Sequence, residues 1–369
     1  MTDVPIYLVT IHLAPHDAIG NDLLGMRECL TGAGYRVEAY AAEVHPSLAG
    51  VARPLSAAGD EFRKNPKALL IYHHSAGWAA GEELLEASRN RIAVKYHNVT
   101  PPRFFEPYSD EFTQASRGGE AATGRVAGHR TALFWGDSSF NCEDLVRYGA
   151  PRDRCRVLAP FHRTEQLSEV ELDRQVLRRY QGAPGARILF VGGVKPNKGH
   201  LQLLRVLAAY RRKYDPDARL FLVGGLDPRL SSYTSHLKDA VTAHGLENNV
   251  VFTGGVSAAA LRSYFLMSDA FLCLSEHEGF CVPLIEAMFF RSPIVAAAST
   301  AIPETVGDAG LLWPEDELGC FVESIAACTG DQAIRRGFQE KGWQRFQDVY
   351  RREAVSAQLL RLVEEALAG

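Results

Sequence analysis

The sequence predicts an α/β protein built from two doubly wound units, each a parallel sheet covered by helices on both faces. Short apolar runs of strand length alternate with amphipathic stretches almost throughout the 369 residues, which is the pattern that βαβ units produce. The alternation weakens over residues 159–186, where Pro160, Pro184 and a charged helical stretch occur. A chain of this length is also long enough for two or more domains. We therefore predict a domain boundary near residue 165.

The first half begins with an apolar run over residues 5–11 that ends shortly before a proline, as a buried strand should. Residues 21–31 then carry leucine and methionine at helical spacing until Gly32 and Gly34 stop the helix. The same alternation continues to residue 158, with helices between the strands. The remaining strands of this half are predicted over residues 35–40, 68–73, 92–96, 132–135 and 156–158.

The second half follows the charged helical stretch of residues 169–180 and restarts cleanly with a strand at residues 187–193. Its further strands are predicted over residues 219–223, 249–252, 270–274 and 293–297. Its helices are predicted over residues 199–214, 230–243, 258–267 and 283–290, and two final helices over 332–345 and 350–367.

Composition and charge narrow the functional classes. The chain has 40 lysines and arginines against 44 aspartates and glutamates, which does not favour a nucleic-acid partner. The seven cysteines are odd in number and form no C-x-x-C pair, so we expect a reducing compartment and no structural zinc. His12 and His16 have no partner at ligand spacing, and no metal site is predicted. Because no signal peptide and no apolar run of about 20 residues is recognised, we expect a cytoplasmic protein.

The most informative segment is residues 274–288, where a predicted strand leads through a polar turn with Gly279 into a helix. Pro283 suits the first helical position, because its missing N–H would have no helical partner. The backbone N–H groups of residues 280–284 are then expected to be free for a phosphate, apart from the proline. Glu278 and Glu286 bracket this helix start. Since phosphate repels carboxylates, they are expected to hold hydroxyl groups, which predicts a nucleotide-sugar clamp rather than two solvated surface charges.

A second strand–loop–helix segment lies at residues 190–199. Gly192 and Gly193 permit close backbone approach, and Lys195 and Lys198 can supply the positive charge that a pyrophosphate requires. The segment matches neither the P-loop nor the G-x-G-x-x-G pattern. A lysine pair at a helix start is usually solvated, but together with the glutamate segment it predicts a shared diphosphate site.

Two loops of the first half are weaker candidates. His97 follows a predicted strand, and a neutral imidazole there could bind or polarise a sugar hydroxyl, or serve only the structure. Gly20 could let the first helix approach the donor, and Asn21 or Asp22 could cap that helix, with simple capping the favoured interpretation.

These motifs resemble those of the GT-B-fold glycosyltransferases, specifically the retaining enzymes of family 4. The resemblance covers most of the chain and is strongest over residues 187–315. Glu278 and Glu286 match the family's two glutamates separated by seven residues, and residues 192–199 match its phosphate loop. Residues 251–256 look like the family's strand and loop near the base. The family's N-terminal half often has a functional histidine at a strand end, which His97 matches.

The resemblance implies an α/β GT-B fold in which two Rossmann-like domains face each other across a cleft. The acceptor-binding domain would comprise residues 1–165 and the nucleotide-sugar-binding domain residues 166–348. Residues 349–369 would form a C-terminal helix that packs back on the N-terminal domain.

By the same resemblance, Glu286 would hold the ribose hydroxyls, Lys198 the pyrophosphate, and Glu278 with the backbone of residues 279–282 the donor sugar. The implied catalytic residues are His97, Glu278 and Lys198. The implied donor-binding residues are Gly20, Gly192, Lys195, Lys198, Val256, Glu278, Gly279, Phe280, Cys281, Val282 and Glu286. The family's arginine in the phosphate loop is replaced by Gly193, and Lys195 is a candidate substitute. No cofactor and no metal are implied, since cationic groups offset the charge of the leaving diphosphate.

The resulting hypothesis is a retaining, metal-independent transferase that moves a hexose from a GDP- or UDP-linked sugar, with GDP-mannose as first choice. The acceptor would be a hydroxyl of a glycan or lipid-linked glycan in polysaccharide or O-antigen biosynthesis. Two alternatives stay open: a same-fold nucleotide-sugar epimerase or phosphorylase, and a catalytically silent nucleotide-sugar-binding scaffold. A nicotinamide dehydrogenase is the weakest, because no dinucleotide fingerprint follows any strand.

A lipid-linked acceptor would require peripheral contact with the inner face of the membrane. Basic and aromatic residues of the first half could supply that surface, but a mobile solvated loop around Gly118 and Gly119 is the favoured interpretation. The residues of this basic and aromatic surface would be Phe104, Phe105, Arg117, Arg125 and Arg130. The oligomeric state is not predicted.

Overall fold

A computed structural model of the chain describes residues 4–15, 17–59, 62, 64–180 and 182–368. His16, one of the two histidines considered above, lies outside the described residues. The chain divides into two compact units. The first unit consists of Met1–Pro102, Gln114–His162 and Tyr350–Gly369, and the second of Arg103–Thr113 and Arg163–Val349.

The first unit contains a parallel sheet of seven strands in the order β3-β2-β1-β4-β5-β6-β7. Its core is the continuous apolar faces of the central strands, which are buried on both sides as parallel strands under helices require. The strands are β1 (Pro5–Leu13), β2 (Arg36–Val44), β3 (Arg53–Pro54), β4 (Leu69–His74), β5 (Arg91–Tyr96), β6 (Leu133–Gly136) and β7 (Cys155–Val157).

The second unit contains a parallel sheet of six strands in the order β10-β9-β8-β11-β12-β13. The middle residues of its central strands are buried and pack against apolar faces of the surrounding helices. The strands are β8 (Arg187–Val191), β9 (Arg219–Val223), β10 (Val250–Gly254), β11 (Ala270–Cys273), β12 (Ile294–Ala297) and β13 (Gly310–Trp313).

The described α-helices fill the crossovers between these strands and follow the last one. They are α1 (Ala18–Gly32), α2 (Ala79–Ala87), α3 (Asp110–Ala127), α4 (Ser139–Arg147), α5 (Thr164–Leu167), α6 (Arg174–Tyr180), α7 (His200–Lys213), α8 (Ser231–Ala243), α9 (Ala258–Met267), α10 (Val282–Phe289), α11 (Ile302–Val306), α12 (Leu318–Gly330), α13 (Gln332–Arg345) and α14 (Arg352–Ala368). Among the described residues, no helix is both long and apolar enough to cross a lipid bilayer.

The strand orders confirm the predicted pair of Rossmann-like units. In each sheet the order reverses at one point, between β1 and β4 in the first unit and between β8 and β11 in the second. Ligands of doubly wound sheets bind in the crevice at the carboxyl ends of the strands that flank such a point. The loops after these strands are therefore the places to look for a site.

Several local predictions are wrong. The first helix begins at Ala18 and is capped by Asp17, whose side chain accepts from the amide of Gly20 at 2.9 Å, so neither Asn21 nor Asp22 is the cap. Gly118 and Gly119 lie inside α3 rather than in a loop, because the polar and small residues of this stretch still present one helical face. The helical stretch of residues 169–180 is reduced to α6, and strand β13 was not predicted.

Candidate functional site

The second unit brings Lys198 and Glu278 together at its switch point, although they are far apart in sequence. Lys198 follows β8 and Glu278 follows β11, and the Lys198 Nζ lies 2.7 Å from each carboxylate oxygen of Glu278. The side chains are 23% and 9% exposed, respectively. Burial opposes the charge of Lys198, but the Glu278 carboxylate outweighs it and raises the Lys198 pKa. The pair is therefore a preformed, charged contact at the switch point of the sheet.

Backbone contacts set the distance between the two loops. Gly199 has a φ of 68°, and a Cβ at this position would lie 1.8 Å from the carbonyl oxygen of Leu274. The amide of Glu276 donates to the carbonyl of Asn197 at 2.9 Å, and the Asn197 side-chain amide donates to the carbonyl of His277 at 3.0 Å. Only glycine fits at position 199 without strain or displacement. The loops are thus held in direct main-chain contact.

The loop after β12 and the helix α11 that follows it contact the glutamate segment from the other side. The Thr300 hydroxyl accepts from the amide of Glu278 at 2.9 Å, and the Thr305 hydroxyl donates to the carbonyl of Phe280 at 2.7 Å. Thr300 has a φ of 46°, a conformation that costs free energy and is concentrated at functional sites. Sequence reasoning missed both threonines. The sequence signal for Thr300 was the pair of hydroxyl residues Ser299 and Thr300 shortly after a buried strand.

Glu286 lies inside α10 and is half-buried. Among the described residues, none donates a hydrogen bond to its carboxylate or forms an ion pair with it. Burial raises the pKa of Glu286 from 4.5 to about 7. An unpartnered, partly desolvated carboxylate is costly, so this group is poised to accept hydrogen bonds from a ligand.

The start of α10 differs in detail from the prediction. The helix begins at Val282, so Pro283 occupies its second position, and Cys281 precedes it with a φ of 75°. The amide of Leu284 donates to the carbonyl of Cys281 at 3.0 Å. The expectation that this amide is free for a phosphate is therefore wrong, because the first turn closes on itself.

Gly192, in the predicted phosphate loop, lies directly against the backbone of the loop after β9. A Cβ on Gly224 would lie 2.0 Å from the carbonyl oxygen of Gly192, and the Val194 amide donates to the carbonyl of Gly225 at 3.0 Å. The loops after β8 and β9 therefore cross backbone to backbone at Gly192. This contact was not predicted, although consecutive glycines follow both strands.

The remaining donor residues predicted in this unit lie outside the Lys198–Glu278 contact. Lys195 is exposed, and it helps lower the pKa of Asp227 after the larger effect of Arg229. Val256 is half-buried in the loop after β10. Because β10 is the edge strand, β9 separates it from the switch point.

In the first unit, His97 follows β5 and both of its ring nitrogens have protein partners. Its Nδ1 lies 3.0 Å from the Asp137 carboxylate, and its Nε2 lies 2.9 Å from the Nδ1 of His73. A carboxylate at Nδ1 fixes the tautomer with a proton on that nitrogen. For neutral rings, His73 Nδ1 then donates to His97 Nε2. His97 is therefore an oriented imidazole inside a network.

Asp22 and Lys95 complete this network. The Lys95 ammonium is fully buried, contacts the Asp137 carboxylate and donates to the carbonyl of Leu158 at 2.6 Å. One Asp22 oxygen accepts from the amide of Phe161 at 2.7 Å, while the other has no hydrogen bond among the described residues and lies 3.7 Å from His97 Nε2.

Burial and neighbouring charges shift the pKa values of several groups in this network. Burial raises the pKa of Asp22 to about 6 and lowers that of His73. Burial also opposes the charge of Asp137, but His97 and Lys95 outweigh it and hold the Asp137 pKa below its usual range. Sequence reasoning missed Asp22 as a site residue because an acidic residue early in a helix usually caps it. Gly20, the predicted donor residue of this unit, lies in α1, where a Cβ would approach the carbonyl oxygen of Ala14 to 2.8 Å.

Two groups of described side chains have donor atoms close enough to share a metal ion, each group within 4.8 Å. The absence of a metal from the predicted mechanism remains a prediction. The groups are Asp22, His73 and His97 in the first unit, and Cys273, Glu278 and Cys281 in the second.

The basic and aromatic surface considered for membrane contact does not form as predicted. Phe105 is buried in the core of the second unit. Arg125 forms an ion pair with Glu82 in the first unit. The prediction of a membrane-contact surface that includes an exposed Phe105 is therefore wrong.

Comparison with known proteins adds sequence relationships to this geometry. Residues 173–345 match the model of the family described as glycosyl transferases group 1. A mannosylfructose-phosphate synthase of Agrobacterium fabrum is 31% identical over 40% of this chain and 33% of its own length. An MMP alpha-(1->4)-mannosyltransferase of Mycolicibacterium hassiacum is 29% identical over 55% of this chain and 49% of its own. The chain thus spans less than two thirds of either relative.

The fold also matches that of solved structures. The sucrose-phosphate synthase of Thermosynechococcus elongatus superposes with a TM-score of 0.75, covering 99% of each chain at 17% identity. At this identity the match concerns the fold. The predicted resemblance to GT-B glycosyltransferases of family 4 is confirmed by the family match and the fold together.

Proposed function

Because residues 173–345 match the model of the family described as glycosyl transferases group 1, we propose that the protein is a retaining glycosyltransferase with a nucleoside-diphosphate sugar as donor. The proposed donor is GDP-mannose, and the proposed acceptor is a hydroxyl of a glycan or lipid-linked glycan. The names of the two relatives, a mannosylfructose-phosphate synthase and a mannosyltransferase, support mannose as the transferred sugar.

The observation that carries this proposal is the arrangement of three charged groups after β8 and β11. Lys198 and Glu278 form a close pair, and Glu286, eight residues further on, has no partner among the described side chains. An ammonium has three N–H donors, and Glu278 accepts two of them. The third can donate to a diphosphate oxygen without breaking the pair.

Each group then has a chemical task. Glu286 accepts hydrogen bonds from the ribose hydroxyls, since an ionised carboxylate only accepts. Glu278 holds the hydroxyls of the transferred sugar. Lys198 stabilises the negative charge that develops on the leaving diphosphate, a contribution that is large where water is partly excluded. This division of tasks needs no metal ion, so we expect turnover to survive a chelator.

We propose that the imidazole of His97, in the first unit, contacts a sugar hydroxyl. Asp137 holds the ring through Nδ1, which leaves Nε2 as the atom for exchange. In the described arrangement Nε2 faces His73, so the ring must exchange that partner for the ligand. The contact between His97 Nε2 and His73 supports a second candidate function, a scaffold that binds a nucleotide sugar and does not transfer it.

The decisive experiment compares binding with transfer. Calorimetry with GDP-mannose, UDP-glucose and the free diphosphates measures donor preference, and a transfer assay with glycan and lipid-linked acceptors measures turnover. We expect Glu286→Ala to abolish transfer without loss of fold, and Glu247→Ala, which changes an exposed glutamate of the same unit, to leave it unchanged. An anomeric configuration equal to that of the donor establishes retention. Tight donor binding without transfer to any acceptor would support the scaffold instead.

A further inference from the structure

Two cysteines lie beside the Lys198–Glu278 pair, and their thiol groups have no task in the proposed transfer. Cys273 ends β11 and Cys281 precedes α10, and both are buried. Their sulfur atoms are 3.8 Å apart. A Glu278 carboxylate oxygen lies within 4.8 Å of both sulfurs. Two thiols and a carboxylate therefore converge on one point.

We propose that Cys273, Cys281 and Glu278 form a site for a thiophilic divalent metal ion of the zinc class, and that its occupation inhibits the enzyme. Zinc binds thiolate sulfur at about 2.3 Å in tetrahedral geometry, which places two coordinating sulfurs about 3.8 Å apart. The observed separation already has this value. A carboxylate is an accepted third ligand, and water completes a four-coordinate site.

The charges at the site balance when the metal is bound. The metal forms two metal–sulfur bonds while both thiols release their protons. Two thiolates and the Glu278 carboxylate then face the dipositive ion and the Lys198 ammonium, which gives a net charge of zero. Access is available on the side of Lys198, whose side chain is 23% exposed.

Inhibition follows from competition for one carboxylate. In the metal-free protein both Glu278 oxygens accept from Lys198. Coordination withdraws at least one of them and places a second cation beside the ammonium. Lys198 is then displaced from the position in which it meets a diphosphate. The inhibition rests on the proposed function, whereas metal binding does not.

The binding test uses cobalt(II), a spectroscopic substitute for zinc, with a phosphine reductant that keeps the thiols reduced. We expect one equivalent of Co²⁺ to produce a thiolate-to-metal charge-transfer band in the wild-type protein. Cys273→Ser and Cys281→Gly should abolish it. Cys281→Gly is the safer variant, because the φ of 75° favours glycine. Cys328→Ser, which changes another buried cysteine of the same unit, should retain the band.

The functional readout is separate. We expect Zn²⁺ to weaken GDP-mannose binding in wild type and in Cys328→Ser, and to leave it unchanged in Cys281→Gly, each compared with its own metal-free value. Absence of the band in wild type, or its persistence in both ligand variants, overturns the site. A metal-dependent band without any change in donor binding or turnover overturns the inhibition and leaves the site. Failure of the proposed transfer activity is visible independently, as no turnover in metal-free protein that still binds Co²⁺.

Discussion

Glu286→Gln should make the second unit more stable while weakening donor binding. The substitution keeps the shape of the side chain and removes its charge. In the ligand-free protein the carboxylate is half-buried without a partner among the described residues, so its ionised form opposes folding. In the proposed complex the same charge accepts hydrogen bonds from two hydroxyls. One change therefore acts with opposite signs on two measurable quantities.

The stability effect can be worked from the pKa of Glu286. A rise from 4.5 to about 7, at about 1.4 kcal/mol per pH unit, corresponds to at most about 3 kcal/mol. Solvent contact reduces this to about 1–2 kcal/mol. Since the folded pKa is the higher one, wild type loses stability as the pH rises from 4.5 to about 7. The advantage of glutamine is complete above this range and disappears below it.

Calorimetric unfolding of wild type and Glu286→Gln on both sides of that pH range measures the difference. Glu247→Gln is the matched control, because Glu247 is exposed and should show no such dependence. GDP-mannose binding, measured on the same samples, should weaken about 10- to 100-fold, as loss of charge-assisted hydrogen bonds costs about 1.5–3 kcal/mol. A variant less stable than wild type at high pH, or one that binds the donor equally well, would refute the reasoning.

Three further substitutions test the rest of the geometry. Lys198→Met leaves the Glu278 carboxylate unpaired at 9% exposure, and should lower the free energy of unfolding by about 1–3 kcal/mol and abolish transfer; unchanged turnover would contradict the assigned task. Gly199→Ala introduces a contact of 1.8 Å and should cost more than about 2 kcal/mol in denaturant unfolding, whereas Gly245→Ala, at a similar φ of 62° in open space, should cost about 1 kcal/mol; equal costs would argue against the loop contact. Asp137→Asn removes the carboxylate that pairs with the buried Lys95 and should lower the free energy of unfolding by about 3–5 kcal/mol at neutral pH. Because the folded pKa of Asp137 lies below 3.8, the stability advantage of the wild type is present above pH 3.8 and declines as the pH falls through the folded pKa. A stability difference that is independent of pH would exclude this ion pair as its cause.

The sequence was sufficient to predict which loops meet in the second unit. Lys198 and Glu278 each follow a buried apolar run, and the carboxyl ends of adjacent parallel strands lie at one edge of a sheet. Hydrophobic periodicity is local, so it located β8 and β11 and the helices after them. The same reasoning failed at β13 (Gly310–Trp313), because the strand begins with a glycine and is followed directly by Pro314, and both residue types usually mark turns and loops.

Contacts between distant residues could not be predicted from the sequence. Asp22 early in a helix is typical of a cap, and its actual partner, the amide of Phe161, lies on a remote part of the chain. The free oxygen of Asp22 beside His97 follows from that packing alone. Likewise, the glycine pair after β9 has no meaning until the loop after β8 is seen to cross it.

Because Gly199 and Leu274 are in direct main-chain contact, the distance between Lys198 and Glu278 does not depend on the length of the chain that connects these two residues. Along the chain, they are connected through α7, β9, α8, β10, α9 and β11. The exposed turn at Gly245, after α8, is on that route, and such turns tolerate insertions. A reporter peptide or an affinity handle placed there would lengthen the connection and leave the Lys198–Glu278 distance unchanged.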